Sequence, residues 1–328
     1  MLTILNYLSL ISRGGGGGNN GGNTPPPISE EERQKLYKEI ETKFQDREIT
    51  KEGLHEFIDS IVDNGFHISG YLGDYRVLIE SNDPSNNDQI YVDKEFLAKL
   101  EESKNNGYTM SSIMDEYMKI PSFLKNGIRD PRGPLDGIYF TSQGSSSGTY
   151  NQLDNEVRIP SNWLDHRVDD ANGLGATLIH ELTHRADYEQ ATRTDDFSLI
   201  GFNKQPGGKS KKLSSGLFHD IGLKEQASAY SRSYKYTASG RKTTSDKKII
   251  KYDSENLSET MSVMHMKHNY GGNALVEDPR GINRDNRITV DRWVELNPGL
   301  NEIGEKLYNA KNYNEFKAVL IWGDSHGY

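Results

Sequence analysis

The sequence predicts an α+β protein in which a smaller helical and mixed region precedes a domain built from a small sheet and two long helices. Apolar residues recur at helical spacing in several segments between residues 29 and 125. Beyond residue 136, short strand-like segments are followed by long helical stretches, and no repeat, heptad or nucleotide-binding glycine pattern is present. We therefore divide the chain into a leader over 1–28, an N-terminal α+β region over 29–135 and a second domain over 136–328.

The composition excludes several classes of protein. The chain has 328 residues, no cysteine and a formal net charge of −9. Without cysteine, disulfides, thiolate metal clusters and cysteine nucleophiles are excluded. The acidic balance disfavours a nucleic-acid partner, and no apolar run reaches the ~18 residues of a membrane-spanning helix. We therefore expect no nucleic-acid partner and no membrane span.

The leader has an apolar segment followed by a glycine-rich one. Residues 1–12 are apolar but lack a basic residue before them, since Arg13 follows, so they do not match a secretory signal peptide. Residues 14–27 contain mainly glycine, asparagine and proline, a composition typical of a flexible linker. One helical face of the apolar segment would carry Leu2, Ile4, Leu5, Leu8 and Ile11. The leader is therefore predicted to be a tether that can dock on a partner.

Helix signals dominate the region over 29–135. Ser29 and Glu32 form a capping-box pattern that opens a helix ending near residue 45. Thr50 is a predicted N-cap of a second helix, and Gly65 stands where that helix should end. A strand over 75–80, a helix over 93–102 and a helical stretch over 109–125 that Pro121 interrupts complete the region.

The second domain begins with two predicted strands, at 137–140 and 156–160. A longer helix is predicted from about Leu174 to Glu189, because apolar residues recur along it at four-residue spacing. Another helix is predicted from Ser254 to about His268, and a C-terminal helix begins near Val290.

The helix over 174–189 contains an HExxH motif, His180-Glu181-Leu182-Thr183-His184. Two histidines at i and i+4 project from one face of a helix and can bind a single Zn²⁺. Glu181 lies one step round the helix, where it can reach a water on the metal and accept its proton. We therefore predict that His180 and His184 are metal ligands and that Glu181 is a general base.

The motif resembles that of the zincin metallopeptidases, and the chain is most similar to the gluzincin branch and to the anthrax lethal-factor catalytic domain. In gluzincins the third ligand is a glutamate on a second helix, in a pattern that Glu255-Asn256-Leu257-Ser258-Glu259 resembles. The resemblance implies that Glu255 is the third zinc ligand and that Glu259 holds a ligand histidine by its far ring nitrogen. It also implies a supporting role for Asp187, three residues after the second histidine.

The same resemblance implies a tyrosine near the metal that stabilises the oxyanion or protonates the leaving amine. Ser228-Ala229-Tyr230-Ser231 resembles the lethal-factor segment that carries this tyrosine. The interval from His184 to Glu255 is longer than in lethal factor, and a basic segment over 234–250 would separate Tyr230 from Glu255. Tyr252 is therefore the competing candidate.

Other residues compete for roles in the site. Glu225 is an alternative third ligand, from a helix of its own. Gln190 occupies the position where metzincins have a histidine and aspzincins an aspartate, which disfavours those branches. His219 and His265 are candidate donors on the substrate side.

These predictions together indicate a zinc-dependent metalloendopeptidase acting on a protein or peptide substrate. The leader and the resemblance favour a toxin-like or effector protease, secreted or injected without a clear signal peptide, or a phage- or particle-associated enzyme. The alternative is a non-catalytic binding or structural module on a zincin fold within a larger assembly. A third is a zinc hydrolase acting on an amide of the cell wall.

Overall fold

The computed structural model describes most of the chain between Ile28 and Phe316. The described residues are 28–44, 48–73, 75–83, 86, 88–126, 137–142, 148–151, 156–192, 254–277, 287–312 and 315–316, without the side chains of 187–192 and 254–256. All but residue 28 of the predicted leader lies outside them. Tyr230, Tyr252, Glu225 and His219 also lie outside the described residues.

Two capped helices open the described chain, α1 (Glu30–Phe44) and α2 (Lys51–Asp63). The predicted capping box is confirmed, because the amide of Ser29 donates to the Glu32 carboxylate at 2.8 Å and the Glu32 amide donates to Ser29 Oγ at 3.2 Å. Thr50 caps α2 by accepting from the Gly53 amide at 3.0 Å. Gly65 has a φ of +78°, the left-handed conformation that ends a helix with least strain at glycine.

A six-stranded mixed sheet forms the middle of the molecule. Its strands are β1 (Phe66–Leu72), β2 (Arg76–Ser81), β3 (Gln89–Asp93), β4 (Gly137–Thr141), β5 (Thr149–Asn151) and β6 (Glu156–Pro160). Their spatial order is β1-β2-β3-β4-β6-β5. The pairs β3–β4 and β4–β6 are parallel, whereas β1–β2, β2–β3 and β5–β6 are antiparallel. The short strand β5 therefore lies at one edge, antiparallel to its neighbour.

The predicted boundary at 135/136 falls between two paired strands. β3 and β4 lie on opposite sides of it and pair in parallel, with Tyr91 opposite Tyr139. One face of the sheet is fully buried, through Val77, Ile79, Ile90, Val92, Ile138, Phe140, Val157 and Ile159. Because these side chains belong to one hydrophobic cluster, the two predicted regions share a sheet and a core.

Further helices contribute side chains to the same hydrophobic cluster as the sheet. They include α3 (Lys94–Glu102), α4 (Ser112–Lys119) and α5 (Ser122–Asn126), with short 3₁₀ turns at Ser103–Asn106 and Ser161–Asp165. The predicted interruption at Pro121 separates α4 from α5, as expected where a proline removes a helix donor. No helix among the described residues is long and apolar enough to cross a membrane.

Two long helices pack side by side on this core, α6 (Leu174–Thr192) and α7 (Ser254–Tyr270). They confirm the two helices predicted there. The remaining elements are a hairpin of β7 (Leu275–Glu277) and β8 (Arg287–Thr289), then α8 (Val290–Leu296) and α9 (Pro298–Tyr308). α9 packs on α7, so that α7 is held between α6 and α9.

Candidate metal centre

The HExxH residues lie on a helix that is buried almost throughout. Along residues 173–186, only His180 and His184 are partly exposed, and every other residue is buried. Leu174, Leu178 and Leu182 have no solvent exposure, which fixes α6 against the core. Within this stretch of the helix, the two imidazoles are therefore the side chains that reach solvent.

The two imidazole rings converge. His184 Nε2 lies 3.0 Å from His180 Nε2, and the ring planes are inclined by 75°. Two nitrogens bound at 2.0–2.1 Å to one tetrahedral Zn²⁺ would lie about 3.3 Å apart. The same separation suits an N–H···N hydrogen bond between the rings. The backbone and rotamers thus bring the two nitrogens to within a few tenths of an ångström of the separation that a shared ion requires.

Glu259 on α7 faces the other side of the His180 ring. Its Oε1 lies 3.7 Å from His180 Nδ1, within ion-pair distance although longer than a hydrogen bond. This is the far ring nitrogen, opposite the one that points at His184. The role predicted for Glu259 stays a prediction, with its carboxylate on the side of the far ring nitrogen of His180.

The register of α6 and α7 locates the backbone of Glu255. A Cβ added to Gly175 would lie 2.6 Å from His265 Nε2, and Ser262 Oγ donates to the Ala176 carbonyl at 3.0 Å. Glu259 lies beside His180, so residue numbers rise along α6 while those of the facing residues fall along α7. The helices are therefore antiparallel, and one further turn on each, about 6 Å, brings residue 255 level with His184.

The side chains of Glu255 and Asp187 lie outside the described residues. Their backbones belong to α7 and α6 respectively. Among the described side chains, no group of three His, Asp or Glu converges to hold a metal. The described part of the centre therefore consists of the histidine pair, Glu181 and Glu259.

The edge strand packs on a different face of α6 from α7. A Cβ added to Gly148, the residue before β5, would lie 3.0 Å from Glu181 Oε1 and 2.6 Å from Thr177 Cγ2. Thr177 and Glu181 are one turn apart on the helix face toward β5, whereas Ala176 and His180 face α7. The histidine pair thus lies between α7 and the start of the edge strand, with Glu181 against the strand.

A buried ion pair holds the turn that contains His184. Arg185, the next residue, lies 3.6 Å from Asp88, and both side chains are almost fully buried. Tyr117 donates its hydroxyl to Asp88 at 3.0 Å. Burial raises the pKa of Asp88, an effect that the charge of Arg185 only partly offsets. No sequence pattern predicted Asp88, because it lies in a turn far from Arg185 along the chain.

The other end of the helix pair is held by Glu116 on α4. This carboxylate accepts hydrogen bonds from His265 Nε2 at 3.2 Å, from Lys119 Nζ at 2.7 Å and from the Tyr270 hydroxyl. Burial alone would raise the pKa of Glu116, but the hydrogen bonds and charges of His265 and Lys119 outweigh it and lower the pKa. Gly175 leaves the space that this pair occupies, since a Cβ there would lie 2.0 Å from Glu116 Oε2.

His265 belongs to this network and is fully buried. Its Nδ1 lies 3.3 Å from the side-chain nitrogen of Asn269 and 3.4 Å from the Tyr308 hydroxyl. An amide nitrogen can only donate, so Nδ1 is assigned as the acceptor and Nε2 carries the proton toward Glu116. The candidate role of His265 as a substrate-side donor is therefore wrong: its ring has no exposed surface.

The N-terminus of α6 has an unusual cap, which the sequence did not predict. The amide of Leu174 donates to the hydroxyl of Tyr108 at 3.1 Å. Burial raises the pKa of this tyrosine. A side chain 66 residues away in the chain thus satisfies one of the free donors at the start of the motif helix.

The chain matches no protein-family model, and searches of curated proteins and of solved structures give no significant match.

Proposed function

We propose that this chain is a zinc-dependent metalloendopeptidase of the zincin type. One observation carries the proposal. Along residues 173–186, the only partly exposed residues are His180 and His184, and their Nε2 atoms are 3.0 Å apart. This separation is close to the value of about 3.3 Å that two nitrogens bound to one tetrahedral Zn²⁺ would have.

The donor set fits zinc. His180 and His184 would supply two nitrogens, and Glu255, level with His184 in the helix register, would supply an oxygen. Two histidines and one glutamate form the ligand set of a catalytic site that keeps a fourth position open. When bound, Zn²⁺ would act as a Lewis acid on the scissile carbonyl and on the attacking water.

The neighbouring carboxylates have distinct proposed tasks. Glu259 would accept a hydrogen bond from His180 Nδ1, which fixes the tautomer that leaves Nε2 as the metal-binding atom. Glu181 would take the proton of the attacking water at its carboxylate and then deliver it to the leaving amine. Tyr230 or Tyr252 would stabilise the oxyanion, and Asp187 would support the ligand histidines.

The edge strand favours a peptide as the substrate. β5 is antiparallel to β6, and no strand in the described part of the chain pairs with its outer edge. An extended peptide can add to such an edge through main-chain hydrogen bonds. Gly148, the residue before β5, lies against Glu181. A peptide paired with β5 would therefore run past the proposed general base.

The biological setting that we propose comes from the sequence of residues 1–28. A tethered apolar leader suits a secreted, injected or particle-associated protease that docks on a partner, and a protein substrate is the expected target.

The test compares the wild-type chain with Glu181→Gln. Both should bind one zinc per chain, and the variant should cleave peptides roughly 10²–10⁴-fold more slowly because it lacks the general base. A broad peptide library and mass spectrometry would identify the cleaved bonds. If both proteins bind zinc and neither cleaves any peptide, the chain is a non-catalytic metal-binding module instead.

A second comparison tests the ligand set. Glu255→Ala should lose zinc, whereas Glu225→Ala should retain it. Zinc loss in Glu225→Ala and retention in Glu255→Ala would reverse the assignment of the third ligand.

A further inference from the structure

We infer that Gly148 is a positioning residue for Glu181: the missing side chain lets the start of β5 lie against that carboxylate and fixes its place beside the histidine pair. The inference rests on the proposed function, in which Glu181 is the general base. It assigns a role to a residue that no motif singles out.

The distances around Gly148 leave no space for a side chain. A Cβ at this position would lie 2.6 Å from Thr177 Cγ2, 3.0 Å from Glu181 Oε1 and 3.2 Å from Glu181 Cγ. Ordinary contacts between such atoms are about 3.5–4.0 Å. Any residue other than glycine would therefore have to move the strand or the side chains of α6.

Glycine is needed here for space and not for backbone conformation. The described glycines with a positive φ are Gly65, Gly73, Gly107 and Gly271, and Gly148 is not among them. A substitution at Gly148 therefore tests the contact with α6 without adding backbone strain.

The carboxylate is the group that gives way most easily. α6 is fixed by fully buried Leu178 and Leu182, and Thr177 is itself buried with a β-branched side chain of few rotamers. Glu181 has three side-chain torsions, so its carboxylate can move without a shift of the helix. A methyl group at 148 would therefore displace the Glu181 carboxylate, lift β5 away from it, or both.

The experiment uses the full chain loaded with zinc and compares Gly148→Ala with Gly70→Ala. Gly70 is a matched control, because it lies on β1 of the same sheet and a Cβ there meets no atom within 4 Å. Gly148→Ala should retain zinc, while kcat for a cleaved peptide falls by roughly tenfold to a hundredfold from misplacement of the base. Gly70→Ala should retain both parameters.

A second readout is independent of activity. The ¹³C chemical shift of the Glu181 carboxyl carbon, assigned through its loss in Glu181→Gln, should move in Gly148→Ala and stay in place in Gly70→Ala. If the wild-type chain cleaves no peptide, the proposed function fails, and this chemical shift alone decides whether Gly148 positions Glu181.

A rescue variant tests the contact itself. Thr177→Ser removes Cγ2, the closest atom, and should return kcat and the Glu181 chemical shift of Gly148→Ala most of the way toward wild type. The inference is overturned if Gly148→Ala leaves both readouts unchanged, if it loses zinc together with kcat, or if Thr177→Ser restores neither.

Discussion

The two ends of the α6–α7 helix pair each bring a histidine close to a glutamate, but the two pairs differ in burial and in hydrogen bonding. At one end, His265 and Glu116 are both buried and hydrogen-bonded, with Lys119 supplying the compensating charge. At the other end, His180 and Glu259 remain partly exposed, and their contact is 3.7 Å. Each end joins a histidine to a glutamate, but only the His265–Glu116 pair is fully buried.

This difference in burial distinguishes His265, a structural histidine, from His180, a candidate metal ligand. A buried carboxylate is tolerable when several donors converge on it, and Glu116 receives three. We call this end, with Glu116, His265, Lys119 and Tyr270, the closed end. Its hydrogen bonds connect α4 to α7, and its histidine is not exposed to a substrate. At the other end, the Nε2 atoms of His180 and His184 lie 3.0 Å apart, a separation compatible with a shared metal ion.

The largest effect should follow from breaking the closed end. Glu116→Ala leaves the buried His265 ring without its acceptor and the partly exposed Lys119 without its carboxylate, and should lower the free energy of unfolding by about 1–3 kcal/mol. Chemical denaturation measures it. The matched control is Glu295→Ala, whose exposed partner is Arg292, and its midpoint should barely change. An equally small effect in Glu116→Ala would show that the network does not hold the helices together.

A substitution at the other end, where Glu259 faces His180, should change the affinity for zinc and not the stability of the fold. Glu259→Gln weakens the support of His180 and should reduce zinc affinity by about 10–100-fold, as removal of such hydrogen-bond partners of ligand histidines does. Competition with a chromogenic chelator measures the affinity, and the denaturation midpoint of the metal-free chain should stay constant. Loss of stability without loss of affinity would make Glu259 a structural residue.

The closed end should also govern the response to acid. Because the pKa of Glu116 is lower in the folded chain than in the unfolded one, its contribution to stability is complete above the unfolded value and is lost as pH falls through the folded value. Stability should therefore fall on acidification from pH 5 downward. Glu116→Gln should be less stable at neutral pH and should show a shallower acid limb than wild type. An unchanged acid limb would exclude Glu116 as a source of this dependence.

The smallest effects should come from two serines between the two ends. Ser262 Oγ donates to the Ala176 carbonyl, whereas the fully buried Ser258 Oγ has no hydrogen-bond partner among the described residues. Ser262→Ala should cost about 1 kcal/mol, and Ser258→Ala should be neutral or slightly stabilising, because it removes an unsatisfied polar atom. Thermal unfolding of the two variants measures the contrast, and the reverse order would contradict the observed hydrogen bonding.

Sequence reasoning predicted the elements with strong local signals. The capping residues Ser29 and Thr50, the break at Pro121 and the helix that carries His180 and His184 are all encoded within a few residues, and the structure has them. The prediction that Glu259 supports a ligand histidine came from a resemblance to a family and not from residue spacing.

Contacts between distant segments could not be predicted in this way. Glu116 lies on a short amphipathic helix where a glutamate ordinarily faces solvent, and its partner His265 is 149 residues away. β5 has three residues in a serine- and glycine-rich stretch and no apolar alternation, so Gly148 gave no sign of its place beside Glu181. The union of the two predicted regions in one sheet depends on the pairing of β3 with β4, which no local pattern encodes.

The most direct test of the central claim is the zinc content of the full chain after equilibrium dialysis against buffered zinc, with His184→Asn and His268→Asn compared with wild type. His268 is a matched control, because it lies on α7 and pairs with Glu305 away from the centre. We predict one zinc per chain in wild type and in His268→Asn, and none in His184→Asn. Absence of zinc from wild type, or equal zinc in His184→Asn, would contradict the claim that His180 and His184 share a metal ion.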